Sequence, residues 1–210
     1  MARPREFETD RALERAMGLF WDLGYEEASL ARLLKTMKIT RGSFYKAFKD
    51  KHAVYLSTLE RYDKQEVGAT VAFLGNPENG SGRERILNLF NKIAQVAEND
   101  GDRLGCFLCN AMADKAAQGG EIEQRLQAMT LRLETAFRNA LQDSYGSGLS
   151  QAPDNWTEET ARGLLALYFG MRVLGRAGLA ARMARDCVSQ AEQLIDTAVT
   201  ANAGQDPAKG

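Results

Sequence analysis

The stretch from Ser29 to Lys51, SLARLLKTMKITRGSFYKAFKDK, constrains the fold more than any other part of the 210-residue chain. Ser29 is a strong N-cap. Leu30, Leu33, Leu34 and Met37 recur behind it at helical spacing, which predicts a helix of about two turns with one buried stripe. Ile39 fills a tight turn. Thr40 then caps a second helix in which Phe44 and Phe48 lie four apart and face inward, leaving Arg41, Ser43, Tyr45 and Lys46 on the other faces. Asp50 caps a third helix starting at Lys51, whose ammonium and free backbone N–H groups suit a phosphate.

Charge singles out the same segment. Arg32, Lys35, Lys38, Arg41, Lys46, Lys49 and Lys51 stand against Asp50 alone, so residues 32–51 carry +6 where the formal total is −1, and the remainder carries −7. Such asymmetry predicts one positive face for nucleic acid on an acidic body. The exposed cation, hydroxyl, phenol and cation of the second helix suit base edges and phosphates, whereas a merely solvated face carries Glu and Lys in pairs. A basic helix pair with no nucleic-acid role is the bland alternative, and it leaves the joint placement of caps, turn, aromatics and cations without a reason.

The run GYEEASLARLLKTMKITRGSFYKAFKDKHAVY resembles the DNA-binding segment of the TetR family of bacterial transcriptional regulators, over roughly residues 9 to 55, a quarter of the chain. The resemblance implies a dimer that binds a palindromic double-stranded DNA operator and lets go when a small molecule enters a separate helical domain. By position it implies that Arg41 and Ser43 contact bases or nearby phosphates, that Thr40, Tyr45 and Lys51 grip phosphates, that Lys46 does either, and that Ser29 belongs to the same surface. Two positions depart from the family pattern: Lys38 stands where the turn usually holds Gly, and Leu34 where a small Ala is usual.

The rest of the chain reads as all-α. Pro4, Pro77, Pro153 and Pro207 lie beside Gly, Asn, Asp or a terminus, so long stretches run without a breaker. About nine helices are expected: Asp10 to Leu23, with Leu13, Ala16, Met17 and Phe20 on one face; the helix-turn-helix pair; a strut from Lys51 to about Leu74; then Arg83 to Glu98, Gly105 to Gln118, Glu121 to Tyr145, Thr157 to Arg176 and Ala180 to Val199. Loops are expected at 75–83 and 146–155. The division read from this is a helix-turn-helix domain at 1–55, a helical effector-binding and dimerisation domain at 56–202 and a loose tail at 203–210, with Arg3 and Arg5 on a short N-terminal arm. No apolar run approaches a membrane span and MARPREFETDR lacks a signal-peptide core, so a cytoplasmic protein is expected.

The last two helices suggest assembly. Thr157 to Arg176 is apolar on more than one side, with Gly163, Ala166 and Gly170 allowing close approach, and Ala180 to Val199 carries one apolar stripe. They read as a pair that joins its twofold mate in a four-helix bundle, or as the completion of one monomer's core; the family resemblance favours the homodimer. Phe90, Phe107, Met112, Met129, Phe137, Tyr168 and Met171 either line an apolar effector cavity or form ordinary core, and Arg172 faces either an anionic effector or a protein carboxylate. Cys106 and Cys109, after Gly105, are either redox-reactive thiols at a helix start or small packed side chains. A thiol pair with His52 as the chain's only histidine gives no metal site, and no cofactor is called for. Without a Gly-rich phosphate loop, a metal motif or a Ser-His-Asp set, an enzyme is not expected. The function expected is a repressor released by a small molecule or a thiol-reactive signal, the alternative being a constitutive or architectural DNA-binding protein with no effector.

Overall fold

A computed structural model describes residues 3–99, 104–114, 119–145 and 155–203, and every regular element among them is helical. In chain order these are α1 (Arg3–Glu27), α2 (Leu30–Met37), α3 (Arg41–Ala47), α4 (Lys51–Tyr62), a π-turn (Asp63–Val67), α5 (Gly68–Gly75), a 3-10 turn (Pro77–Asn79), α6 (Gly82–Glu98), α7 (Phe107–Met112), α8 (Gly120–Tyr145), α9 (Trp156–Arg176) and α10 (Ala180–Ala203). Since α4, the π-turn and α5 follow one another without a break, as the expected strut from Lys51 does, the described residues form nine rods. Two compact units emerge, one of residues 1–67 and 106–129, the other of 68–105 and 130–210. The expected loop at 146–155 and the tail at 203–210 fall almost entirely outside the described residues.

In the first unit Ala12, Ala16 and Phe20 of α1 are buried with Leu33 and Met37 of α2, Phe44 of α3, and Val54, Tyr55 and Leu59 of α4. The α1 stripe is therefore centred one position from the expected one, with Leu13 and Met17 half-buried beside it. Likewise, α2 buries Leu33 and Met37 but only half-buries Leu30 and Leu34. The three expected caps are made: Ser29, Thr40 and Asp50 side chains accept from the Arg32, Ser43 and Ala53 amides. Arg3 and Arg5 are not on an arm, because α1 already begins at Arg3. The helix expected from Gly105 to Gln118 is also shorter. Gly105 has φ 68°, which an α-helix excludes, and Cys106 is extended, so α7 starts only at Phe107; residues 115–118 lie outside the described residues.

Lys38 ends α2 at φ 58° and ψ 43°, the one non-glycine residue with positive φ among those described. Its amide donates to Lys35 O at 3.3 Å and that of Ile39 to Leu34 O at 3.2 Å, the two bonds of a Schellman ending. Arg15 Nη1 adds a bond to Met37 O at 3.3 Å. The turn is thus left-handed with a lysine at the position where the resemblance implies a glycine.

In the second unit α6 and α10 run antiparallel, held at both ends by arginine clamps. Arg83 Nε and Nη2 donate to the two Asp196 oxygens at 2.9 and 2.8 Å, and Nη2 donates also to Glu192 at 2.7 Å. At the other end Arg185 grips both Glu98 oxygens at 2.6 and 2.7 Å. Gly82 lies so close to α8 that a Cβ there would meet Ala140 O at 1.7 Å.

Two measurements test these features. Lys38→Gly relieves left-handed strain of about 1 kcal/mol against a smaller unfolded-state entropy cost, so Tm should rise by about 1 to 3 °C in scanning calorimetry. A fall would show that the lysine side chain stabilises the turn. The hydrogen bonds from Arg83 hold the Asp196 carboxyl below its ordinary value of 3.8. This contribution is complete above that value and is lost as pH falls through the lower folded-state value. Arg83→Met should therefore lower Tm at pH 7 by an amount equivalent to at most about 1 kcal/mol after solvent screening, and the gap from wild type should shrink toward pH 3.

Candidate nucleic-acid interface

The outward face of α3 is built by one buried ring. Phe44 is fully buried, and Tyr45 packs edge-on against it with ring centroids 5.4 Å apart, which props its phenol outward at 53% exposure. Arg41, Ser43 and Lys46 are exposed with it. Thr40, also exposed, accepts the Ser43 amide at 3.2 Å and donates to Ser43 Oγ at 3.0 Å, so the first turn is pinned by its own hydroxyls. Phe48 is not inside the helix as its spacing suggested. It is the extended C-cap at φ −131° and ψ 144°, half-buried, with its ring 5.8 Å from Phe44. A cleft of about 370 Å³ between α1 and α3 is lined by Thr9, Ala12, Ser43, Lys46 and Phe48 among others.

None of the seven cations between Arg32 and Lys51 forms a salt bridge among the described residues. Their arrangement contrasts with Arg83, Arg85, Arg162 and Arg185 of the second unit, each paired with a carboxylate. Unneutralised cations on one short segment leave a positive field available to an external polyanion.

Lys51 is held differently from the others. Its ammonium lies 4.3 Å from the centroid of the Tyr25 ring and donates to Glu26 O at 3.4 Å, so the end of α1 seats it. The Tyr25 ring is in turn stacked on Phe20 and tilted against Tyr55 at 4.9 Å. Burial pushes both the Tyr25 and Tyr55 phenols up, and the Asp114 charge adds to the shift. Asp114 reaches this place because α1 breaks at Gly24, with φ 78° and ψ 176°. The Tyr25 amide donates to Asp114 Oδ2 at 2.6 Å, and Asn110 Nδ2 donates to Trp21 O at 3.3 Å.

The residues expected to line an effector cavity divide between the units. Phe107, 1% exposed, sits in the first, among Trp21, Tyr55 and Tyr62. Met129 is buried there too, while Met112 is 39% exposed at the end of α7. In the second unit Phe90, Phe137 and Tyr168 form a ring chain with centroids 6.3 and 6.1 Å apart, Met171 is buried and Arg172 half-buried. Cys106 and Cys109 are buried and unbridged, and the Tyr62 hydroxyl lies 3.3 Å from Cys106 Sγ.

Sequence reasoning missed Tyr25, Asn110 and Asp114. Gly24 followed by an aromatic was the local signal for a break in α1. The pairing with residues 110 and 114 is tertiary and leaves no local trace.

Among known proteins, the model of bacterial regulatory proteins of the tetR family matches residues 12–58. The HTH-type transcriptional repressor ComR of Escherichia coli (strain K12) is 27% identical over 176 residues, 84% of this chain and 83% of ComR. The HTH-type transcriptional regulator YezE of Bacillus subtilis (strain 168) is 27% identical over 162 residues, 77% of this chain and 82% of YezE. Among solved structures, the TetR family transcriptional regulator CifR, as a cysteine mutant complexed with 26bp double-strand operator DNA, is 29% identical with a TM-score of 0.70, covering 92% of this chain and 98% of that one. No described helix is long and apolar enough to cross a membrane. Residues 12–58 thus carry the helix-turn-helix segment of the tetR family of bacterial regulatory proteins, and over most of its length the chain is similar in sequence and fold to transcriptional regulators of that family.

Proposed function

We propose that this regulator is a repressor that binds a palindromic operator as a homodimer and releases it on a small-molecule or thiol-reactive signal. The observation that carries the reading is the face of α3, where Arg41, Ser43, Tyr45 and Lys46 are all exposed around the buried Phe44. Arg41 and Ser43 contact bases or nearby phosphates, Tyr45, Thr40 and Lys51 hold phosphates, and Lys46 does either. ComR bears the name of a repressor and CifR has been crystallised on operator DNA, which supports extending both properties to this chain.

Dimerisation is supported by α9 and α10. Leu164, Tyr168 and Met171 of α9 and Ala184, Ala191 and Ile195 of α10 are buried within the monomer, whereas Val173 is 52% and Met183 41% exposed. Between the two helices runs an apolar groove of about 470 Å³, bordered by Gly163, Ala166, Gly170 and Leu194. A second copy would cover it, and reading two half-sites one turn of duplex apart, about 34 Å, takes the two α3 helices that a dimer supplies. The signal would enter through the Phe90, Phe137 and Tyr168 ring chain, or at Cys106.

Selection of bound sites from random duplexes should return an inverted repeat. Against that site Arg41→Ala should relax base preference by about 1 to 3 kcal/mol, whereas Lys51→Ala should weaken all sequences alike and lower the salt slope by about one. Equal loss of preference in both would sink the assignment of roles. For the thiol branch, treatment with peroxide should release the selected duplex from wild type but not from Cys106→Ser. Equal release from both would remove Cys106 from the signal.

A further inference from the structure

The break in α1 leaves one helical hydrogen bond unmade, and both of its halves are taken by a segment remote in sequence. In an uninterrupted helix the Tyr25 amide would donate to the carbonyl four residues back, that of Trp21. Gly24, at φ 78°, turns the chain out of the helix and separates the two groups. Instead, the Tyr25 amide donates to Asp114 Oδ2 at 2.6 Å and the Trp21 carbonyl accepts from Asn110 Nδ2 at 3.3 Å. Asn110 lies in α7 and Asp114 just beyond its end, four residues apart, so one short segment supplies the missing acceptor and the missing donor together. It is anchored beside the break by Phe107, whose ring lies 5.9 Å from that of Trp21 and 5.6 Å from that of Tyr62. The position is tight: a Cβ on residue 24 would come within 2.9 Å of the same Asp114 oxygen.

What this splint fixes is the residue after the break. Tyr25 offers its ring to the Lys51 ammonium at 4.3 Å, and Glu26 next to it offers its carbonyl at 3.4 Å. We infer that Asn110 and Asp114 are positioning residues for DNA binding: they touch no DNA, but by replacing the broken bond of α1 they hold Tyr25 and Glu26 where these aim Lys51 at a phosphate. The inference rests on the DNA-binding reading of Lys51 above, and adds to it a pair of residues, outside the helix-turn-helix, on which that contact depends.

The test measures affinity for the selected duplex, with thermal melting alongside, for wild type, Asp114→Ala, Asp114→Asn, Lys51→Met and the double variant Asp114→Ala with Lys51→Met. Asp114→Ala should weaken binding about tenfold. Asp114→Asn, which keeps an oxygen for the Tyr25 amide, should stay within about threefold of wild type. In the Lys51→Met background, Asp114→Ala should cost less than about twofold, because the group it positions is gone. A purely structural role would instead lower the melting temperature and leave this dependence on Lys51 absent. Wild-type affinity in a folded Asp114→Ala protein, or an equal loss in both backgrounds, overturns the inference. If Asp114→Ala fails to fold, Asn110→Ala, which removes the donor to Trp21 O, takes its place in the same cycle with an expected loss of about threefold, and equal affinity would overturn the inference in the same way. If wild type retains no duplex at all, the DNA-binding reading fails first and the inference with it. Wild-type binding with an indifferent Asp114 refutes the inference alone.

Discussion

A helix of seven residues does not hold itself together in water, since nucleation is unfavourable and isolated helices shorter than about 12 residues are marginal. The recognition helix α3 is of that length, so its existence depends on the burial of Phe44 between a capping Thr40 and an extended Phe48. Burying such a ring is worth roughly 1.5 to 3 kcal/mol. This one contact sets which residues face out, because Arg41, Ser43, Tyr45 and Lys46 occupy the positions left over once Phe44 is fixed.

The electrostatics follow the same division. In the second unit arginines are spent on holding helices to one another, as at Arg83 with Asp196 and Arg185 with Glu98. Between Arg32 and Lys51 the cations are not neutralised by carboxylates among the described residues. Where they are constrained it is by neutral groups: a carbonyl for Arg32, a carbonyl and a ring face for Lys51. A cation held by a dipole or a π-face keeps its full charge for a partner outside, while its position is restricted.

Local chemistry is what the sequence displays well. The caps at Ser29, Thr40 and Asp50, the turn at Lys38 and the inward Phe44 all depend on residues within four positions of each other, and all are found in place. The fold class and the long helices were legible for the same reason, since period and breaker placement are local properties. The places where reading failed share a different cause. Nothing near Asn110 or Asp114 says that their partners lie almost ninety residues earlier. The start of α7 was misplaced because Gly105 and Cys106 sit inside an otherwise helical pattern, and only the backbone angles exclude them. Phe48 kept the i, i+4 spacing of a helix that had already ended.

The membership of the first unit bears on how a signal reaches DNA. Residues 106–129 pack with residues 1–67, so α7 is part of the body that carries α3 and does not have to be brought to it. Two hydrogen bonds tie this segment to α1 at the break: the Asp114 carboxylate accepts from the Tyr25 amide, worth about 1.5 to 3 kcal/mol net for a charged acceptor, and Asn110 donates to the Trp21 carbonyl, worth about 0.5 to 1.5 kcal/mol. Together they amount to about 2 to 4.5 kcal/mol, overlapping the coupling free energies of about 1 to 3 kcal/mol that change affinity between roughly 5- and 150-fold. Cys106 and Phe107 occupy the opposite end of this short element from Asp114, within about two helical turns. The thiol of Cys106 and both bonds at the break in α1 thus belong to one short segment.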